Sequence, residues 1–159
     1  MSRNAAGLRV LFAYLVALGV GALVLLVPSW EPLSPFGLPH TVVALFAADL
    51  VATLVIFAFS LVYRNASFYD AYWSVIPPLF VAWWLVVPGE GVLVRQVLVG
   101  LGVLAWAARL TFNWWRGWTG LDHEDWRYGM LAERSGALYP LVNLTGIHVF
   151  PTILVFLGG

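Results

Sequence analysis

Long apolar runs separated by short polar segments set the plan of this chain. Leu8 to Val27, Thr41 to Tyr63, Val92 to Phe112 and Ala137 to Leu157 each reach the ~20 residues that a helix needs to cross a bilayer. A further run, Ala71 to Val87, is shorter and carries Pro77-Pro78. Adjacent prolines remove two backbone donors and crowd the preceding turn. Such a break is tolerated in a membrane only where protein or water meets the freed carbonyls. This segment is therefore expected to be kinked, re-entrant or tucked inside the bundle. After Pro28 ends the first run, the proline-rich connector Ser29 to His40, with Pro32, Pro35 and Pro39, reads as an extended loop. The pattern predicts an all-α polytopic membrane protein, a single domain over residues 1–159 with about five transmembrane helices.

Between the fourth and fifth runs lies a polar, Trp-rich hairpin, residues 113–136. Its stretch from Asn113 to Arg134 holds four of the eight acidic residues and three of the eight arginines. A charged hairpin between apolar helices is where a membrane protein can do polar chemistry.

Composition agrees with the pattern. The chain is 62% hydrophobic and 10% charged, with a mean hydropathy of +0.88. A soluble domain carries about 25% charged residues, so this chain has too little charge to cover a water-facing surface. The absence of Cys excludes a disulfide framework, a thiolate nucleophile and Cys-ligated metal. Zero formal net charge and no basic run leave no expectation of nucleic acid. Arg3 and Arg9 precede the first run. That run is longer than a signal-peptide core and no A-x-A-like site follows, so the helix is expected to be retained.

Arginine placement gives an orientation. With the N-terminus in the cytoplasm, Arg3, Arg9, Arg64, Arg109, Arg116, Arg127 and Arg134 fall on or near the cytoplasmic side, and only Arg95 falls opposite. That asymmetry follows the positive-inside rule and puts the hairpin in the cytoplasm. Trp30, Trp83, Trp84, Trp114, Trp115 and Trp118 sit near the predicted boundaries, as an aromatic belt would.

Polar residues within the spans mark candidate chemistry, because lipid makes them costly. Asp49 lies inside the second span, with Thr53 and Ser60 on its face. A carboxyl there either pairs with an arginine or takes up a proton. It is open to two readings: a substrate-polarising or proton-handling group, or an interhelical hydrogen bond. Gly102, Trp106, Arg109 and Asn113 share one face of the fourth span. Arg109 there could bind a phosphate, pair with Asp49 or Asp70, or snorkel to the interface. Thr145, His148 and Thr152 share a face of the fifth. These three faces suggest a polar cavity opening to the cytoplasm. Ala13, Ala17 and Gly21, spaced by four, form a small-residue face where another helix can approach closely.

Some formal matches fail on context. Asn65-Ala-Ser67 and Asn143-Leu-Thr145 fit a glycosylation pattern, but one is placed in the cytoplasm and the other in a helix. His123-Glu124-Asp125 are adjacent and lack metal-site spacing, so no metal is expected. No Walker-type or G-x-G-x-x-G loop is present.

Three elements together resemble the steroid 5-alpha-reductase-like superfamily, its uncharacterised bacterial branch most of all. They are Asn65-x-Ser67-x-x-Asp70-x-Tyr72-Trp73, then Arg109 with Asn113, and Glu124-Asp125-Trp126-Arg127-Tyr128. The resemblance covers Tyr63 to Gly159. It implies a helical protein of the bacterial inner membrane that uses NADPH to reduce a carbon–carbon double bond conjugated to a carbonyl in a hydrophobic, lipid-like molecule. A polar side chain would stabilise the developing enolate. It further implies that Asn113, Asp125, Arg127 and Tyr128 hold the cofactor, with Arg109 and Arg64 as further candidates. No carbonyl-polarising acid carries over by motif; Asp49 and Tyr72 are the candidates for that catalytic place. The competing reading of the hairpin is internal Asp/Glu–Arg pairing that orders a loop.

Family members continue into further helices bearing an Arg-His-Pro-x-Tyr-type element. Here the sequence stops at Gly159 without it, so the expectation is the front portion of a reductase with an incomplete site. Two alternatives stand beside it: a membrane methyltransferase using S-adenosylmethionine, and a non-catalytic membrane scaffold or partner subunit.

Overall fold

The computed structural model describes residues 2–27, 38–86 and 91–158. Most of the proline-rich connector, Trp30 included, lies outside the described residues. Helix α1 is Arg3–Leu25, opened by Ser2, whose hydroxyl accepts from the Ala5 amide at 3.3 Å. Helix α2, His40–Tyr63, begins after Pro39. The two pack through the small-residue face: Ala13, Ala17 and Gly21 are buried, and Gly21 lies against Ala48 and Ala52. A Cβ at Gly21 would sit 3.1 Å from the Ala48 carbonyl oxygen, so glycine allows this approach without pushing the helices apart by a few tenths of an ångström.

Arg64 ends α2 in the left-handed conformation, φ 49°. The Asn65 amide then reaches back to the Ser60 carbonyl at 3.0 Å, which closes the helix end and turns the chain sharply. The next stretch does not stay at the surface. Ala66, Phe68, Tyr69, Ala71 and Tyr72 are all buried. The Tyr14 hydroxyl donates to the Phe68 carbonyl at 2.9 Å, and Tyr14 lies about 16 Å along α1 from its start. The connector therefore dips into the bundle, and helix α3, Tyr72–Val86, starts from inside it.

This explains the short third span. Helix α3 is continuous through Pro77 and Pro78 and has fifteen residues, about 22 Å of rise. It runs antiparallel to helix α4, Leu93–Gly117: Ser74 and Thr111 share a hydrogen bond of 2.9 Å, and Val81 faces Gly100. Among the described residues, four helical stretches are long and apolar enough to cross a membrane: Arg3–Leu25, His40–Tyr63, Leu93–Gly117 and Trp126–Gly158.

The last stretch departs most from the sequence pattern. Residues 113–136 are largely helical rather than a loop. Helix α4 runs on to Gly117, and helix α5, Trp126–Ser135, begins as soon as Asp125 caps it. Apolar patterning marks only the membrane-buried part of a helix, so it missed both polar ends. A kink at Gly136, φ 52°, joins α5 to α6 (Tyr139–Val142), a wider-turned segment Asn143–Val149, and α7 (Phe150–Gly158). Pro151 offers no amide to the turn before it, and the wide turn lies there.

Two expected polar faces are corrected. Gly102, Trp106, Arg109 and Asn113 are exposed and join no cavity with the other two faces: Trp106 turns to Trp73 of α3 and, with Gly102, borders a separate space beside Pro77 and Val155. Thr145 is also exposed, bonding back to the Leu141 carbonyl. The wide turn instead puts Asn143, His148 and Thr152 on the buried face. The expected Asp49, Thr53 and Ser60 face is buried as a unit.

Candidate functional site

Two sequence elements more than fifty residues apart lock together at one end of the bundle. The Asn65 side-chain amide donates to the carbonyls of Leu121 (2.9 Å) and His123 (3.2 Å), while its oxygen accepts from the Ser67 amide at 2.8 Å. The Ala66 amide donates to the Glu124 carboxylate. The Tyr128 hydroxyl donates to Asp70 at 2.6 Å. The polar residues of both elements thus have a local structural role, each satisfying a partner on the other element or on its own turn. The N-terminus joins them, with the Arg3 guanidinium over the Trp115 ring at 4.8 Å and bonded to its carbonyl. Arg9 lies 5.3 Å from the Tyr63 ring. Arg3, Arg9, Arg64, Arg116 and Arg127 so gather at one end, and Arg95 starts α4 at the other.

Beside this junction is a cleft of about 670 Å³. Its polar wall is Asp70, Asp125, Arg127 and Tyr128, and its aromatic wall includes Trp73 and Trp114. Asp125 is the N-cap of α5 and accepts from the Arg127 amide at 2.9 Å. Its carboxylate also holds the Arg127 guanidinium through Nε at 2.8 Å and Nη2 at 2.6 Å. That hydrogen bonding keeps the Asp125 carboxyl below the usual carboxylate range. Burial pushes Glu124 and Asp70 the other way, upward, against the hydrogen bonds that the Ala66 amide and the Tyr128 hydroxyl give them.

Deeper in the bundle, buried hydroxyls tie α2, the connector and the last helix together. Thr152 donates to the His148 carbonyl at 2.9 Å and bonds both Tyr69 (2.7 Å) and Thr53 (2.9 Å). His148 Nδ1 lies 3.1 Å from the Asn143 carbonyl, which only accepts, so Nδ1 carries the proton. Nε2 lies 3.0 Å from the Ser60 hydroxyl, whose single proton also reaches the Ile56 carbonyl at 3.1 Å. His148 is a satisfied packing residue.

Asp49 stands outside this accounting, as do the Tyr72 hydroxyl and the Asn143 side-chain oxygen. It is 5% exposed, and neither carboxylate oxygen has a hydrogen-bond partner among the described residues. The Tyr72 hydroxyl lies beside it, also unpartnered in good geometry. Asp49 stands on the wall of a cavity of about 450 Å³ between α1, α2 and α3, otherwise walled by residues such as Leu18, Ala22, Leu45, Ile76 and Phe80. A buried polar group without a partner is expensive; Trp83, Trp114, Trp118 and Asn143 also leave one bare atom each among the described residues, but Asp49 leaves a whole carboxyl.

The expected site residues therefore divide. Asp125, Arg127 and Tyr128 share the cleft; Asp49 and Tyr72 meet deep in the bundle. Arg64 is exposed and borders a separate cavity of about 260 Å³ with Glu124 and Asn143. Arg109 and Asn113 are exposed on α4 and line neither space. Sequence reasoning missed Tyr69, Trp73 and Trp114 as cleft walls. Aromatic residues at a span end read as membrane anchors, and nothing local says that they turn inward. It placed Asp70 as a motif residue and a possible partner of Arg109; its hydrogen bond to Tyr128, 58 positions away, could not be read from spacing.

The helices, the apolar exterior and the two spaces define a polytopic helical membrane protein. The family model described as "Protein of unknown function (DUF1295)" matches residues 56–158, about two-thirds of the chain, and the chain belongs to that family. The matched region contains the junction and the cleft; Asp49 and α1 lie before it. No curated protein and no solved structure matches the chain.

Proposed function

We propose that this chain supplies the lipid-binding and carbonyl-polarising part of an NADPH-dependent membrane reductase. Its substrate would be a lipid-like or steroid-like enone, and its relatives the steroid 5-alpha-reductase-like proteins that its motifs resemble. The hairpin end faces the cytoplasm of a bacterial inner membrane in this reading. The observation that carries it is Asp49, buried and unpartnered on the wall of an apolar cavity. An apolar ligand with one carbonyl fits such a space, and a turn of the Asp49 side chain, enclosed as it stands, would bring its carboxyl to that oxygen.

Asp49 in its acid form donates a hydrogen bond to the carbonyl oxygen, and the bond strengthens as enolate charge develops. The Tyr72 hydroxyl beside it is a second donor. The apolar walls exclude water, which raises the worth of both. NADPH, when bound, supplies the hydride. Asp125, Arg127 and Tyr128 would hold it, with Trp73 and Trp114 offering aromatic faces to its rings. The fit is good for rings and ribose, whose hydroxyls suit Asp70 and Asp125. It is poorer for the phosphates, since Arg127 is the one guanidinium on that wall among the described residues and Asp125 already engages it.

Binding in lipid nanodiscs tests both halves. Asp49→Leu should weaken binding of a sterol enone by about tenfold or more, while Asp49→Asn, which keeps a donor, should retain most of it. Equal affinity of the leucine variant and the parent overturns the assignment. In a parallel NADPH titration, Arg127→Ala should bind more weakly; unchanged binding removes the hairpin from the cofactor site. One observation favours a scaffold instead: the closed Asp125–Arg127 pair can simply order the start of α5. That reading predicts that NADPH binds neither protein and that loss of the pair affects stability alone.

A further inference from the structure

Two opposite charges line one small space at the junction end without pairing. The cavity of about 260 Å³ between the end of α2, the turn that follows it and α6 is walled by Arg64 and Glu124, with Leu61 and Tyr139 beside them. Glu124 is fixed there by the bond from the Ala66 amide, and Ala66 lines the same space. Its second carboxylate oxygen has no hydrogen-bond partner among the described residues and, unlike the Asp49 carboxyl, is not enclosed. The charges that raise its proton affinity are those of Asp70 and Asp125, both acidic. What Glu124 lacks is a cation. Arg64 is exposed, and its guanidinium makes no hydrogen bond or ion pair among the described residues. It stands on a left-handed backbone, φ 49°, where glycine sits more easily. A costly side chain at a strained turn points to a use for that side chain. What Arg64 lacks is an anion.

We propose that this cavity holds the headgroup of a zwitterionic membrane lipid of the phosphatidylethanolamine kind, its phosphate on Arg64 and its primary ammonium on Glu124. A guanidinium suits phosphate oxygens, and an ammonium brings three donors to a carboxylate whose charged neighbours are acids. A ligand of one sign answers one wall and is opposed by the other. The position suits a lipid. Helix α2 is long and apolar enough to cross a membrane and ends at Tyr63, so Arg64 lies at headgroup depth. Leu61, on the cavity wall, and Val62 beside it are exposed, and acyl chains can run down along them. The space is smaller than the ~300–1,000 Å³ of a pocket for a whole small molecule, which suits a headgroup whose tails stay outside. The site is separate from the cleft and from the Asp49 cavity. Its occupant would bridge the end of α2 and the hairpin, a lipid clamp on the junction.

The test is lipid titration of the detergent-solubilised protein, read by native mass spectrometry. The probes are dioleoyl phosphatidylethanolamine, dioleoyl phosphatidylcholine and water-soluble O-phosphoethanolamine. Phosphatidylcholine keeps the phosphate, but its trimethylated nitrogen has no N–H to give. The parent should bind phosphatidylethanolamine about tenfold more tightly than phosphatidylcholine, the worth of a hydrogen bond to a charged group. Glu124→Gln, which keeps an acceptor for the Ala66 amide, should bind the two lipids alike. Arg64→Asn, which tolerates the left-handed backbone, should weaken both by about tenfold. Equal binding of the two lipids by the parent overturns the proposal, and so does a preference that survives Glu124→Gln. Unchanged affinity in Arg64→Asn removes the phosphate from this cavity. If O-phosphoethanolamine binds as tightly as the lipid, the occupant is a soluble zwitterion and the lipid assignment fails.

Discussion

Arg64 shows how a residue's chemistry and its backbone can point to different roles. As an arginine at the mouth of α2 it invites a phosphate-binding reading. In the structure it holds φ 49°, a left-handed conformation that costs little for glycine and more for any side chain. Its place is set by the turn that sends Asn65 into the bundle. Arg64→Gly should therefore raise stability by about 0.5–1 kcal/mol, read as a higher melting temperature in detergent. A fall in stability would show that the guanidinium contributes more than the backbone relief. Asp49 makes the opposite case. Its backbone is ordinary helix, and what marks it is a buried carboxyl with no hydrogen-bond partner among the described residues. A one-dimensional reading flagged Asp49 because lipid makes a carboxyl expensive.

At the scale of elements, the closest fit is between α1 and α2. Ala13, Ala17 and Gly21 were legible as a face because a four-residue spacing keeps side chains on one side of a helix. Which helix that face meets was not legible. Gly21→Leu should destabilise the fold by about 1–3 kcal/mol, since even its Cβ crowds the Ala48 carbonyl and the helices must separate to take the side chain. A thermal melt unchanged from the parent would mean that α1 can shift without loss. The last helix gives a contrary lesson. Its polar face was read as Thr145, His148 and Thr152 on a regular helix. A wider turn over Asn143–Val149 replaced Thr145 by Asn143. Ideal periodicity fails where proline removes the bond that enforces it.

For the whole molecule, the contact between residues 65–70 and 121–128 fixes the hairpin end on the bundle. Its titration should be visible. Burial raises the Glu124 carboxyl, so the folded state holds this proton more tightly than the unfolded chain does. The contribution is then fully present below the ordinary glutamate range and is lost as pH rises through the raised folded value. Asp70 acts in the same direction. Asp125 acts oppositely: its lowered value adds stability above the ordinary aspartate range, lost only as pH falls through the folded value. Hydrogen exchange at the Ala66 amide should accelerate more than its intrinsic rate as pH rises through the Glu124 window. Glu124→Gln, which keeps an acceptor but does not titrate, should flatten that excess. An identical profile in the glutamine variant would remove Glu124 as its source.

The sequence by itself determined that this is a helical membrane protein, roughly where its helices run, and that the second helix buries a polar face. Those properties follow from transfer free energy and from the 3.6-residue period, both of which act locally along the chain. Tertiary structure alone decided that the connector after α2 re-enters the bundle, that Tyr128 meets Asp70, and that Asp49 is left without a partner beside an apolar space. Each depends on which groups distant in sequence arrive at the same point. A hydrogen bond, or its absence, is a property of a pair, and a pattern read along one helix carries no information about the other member.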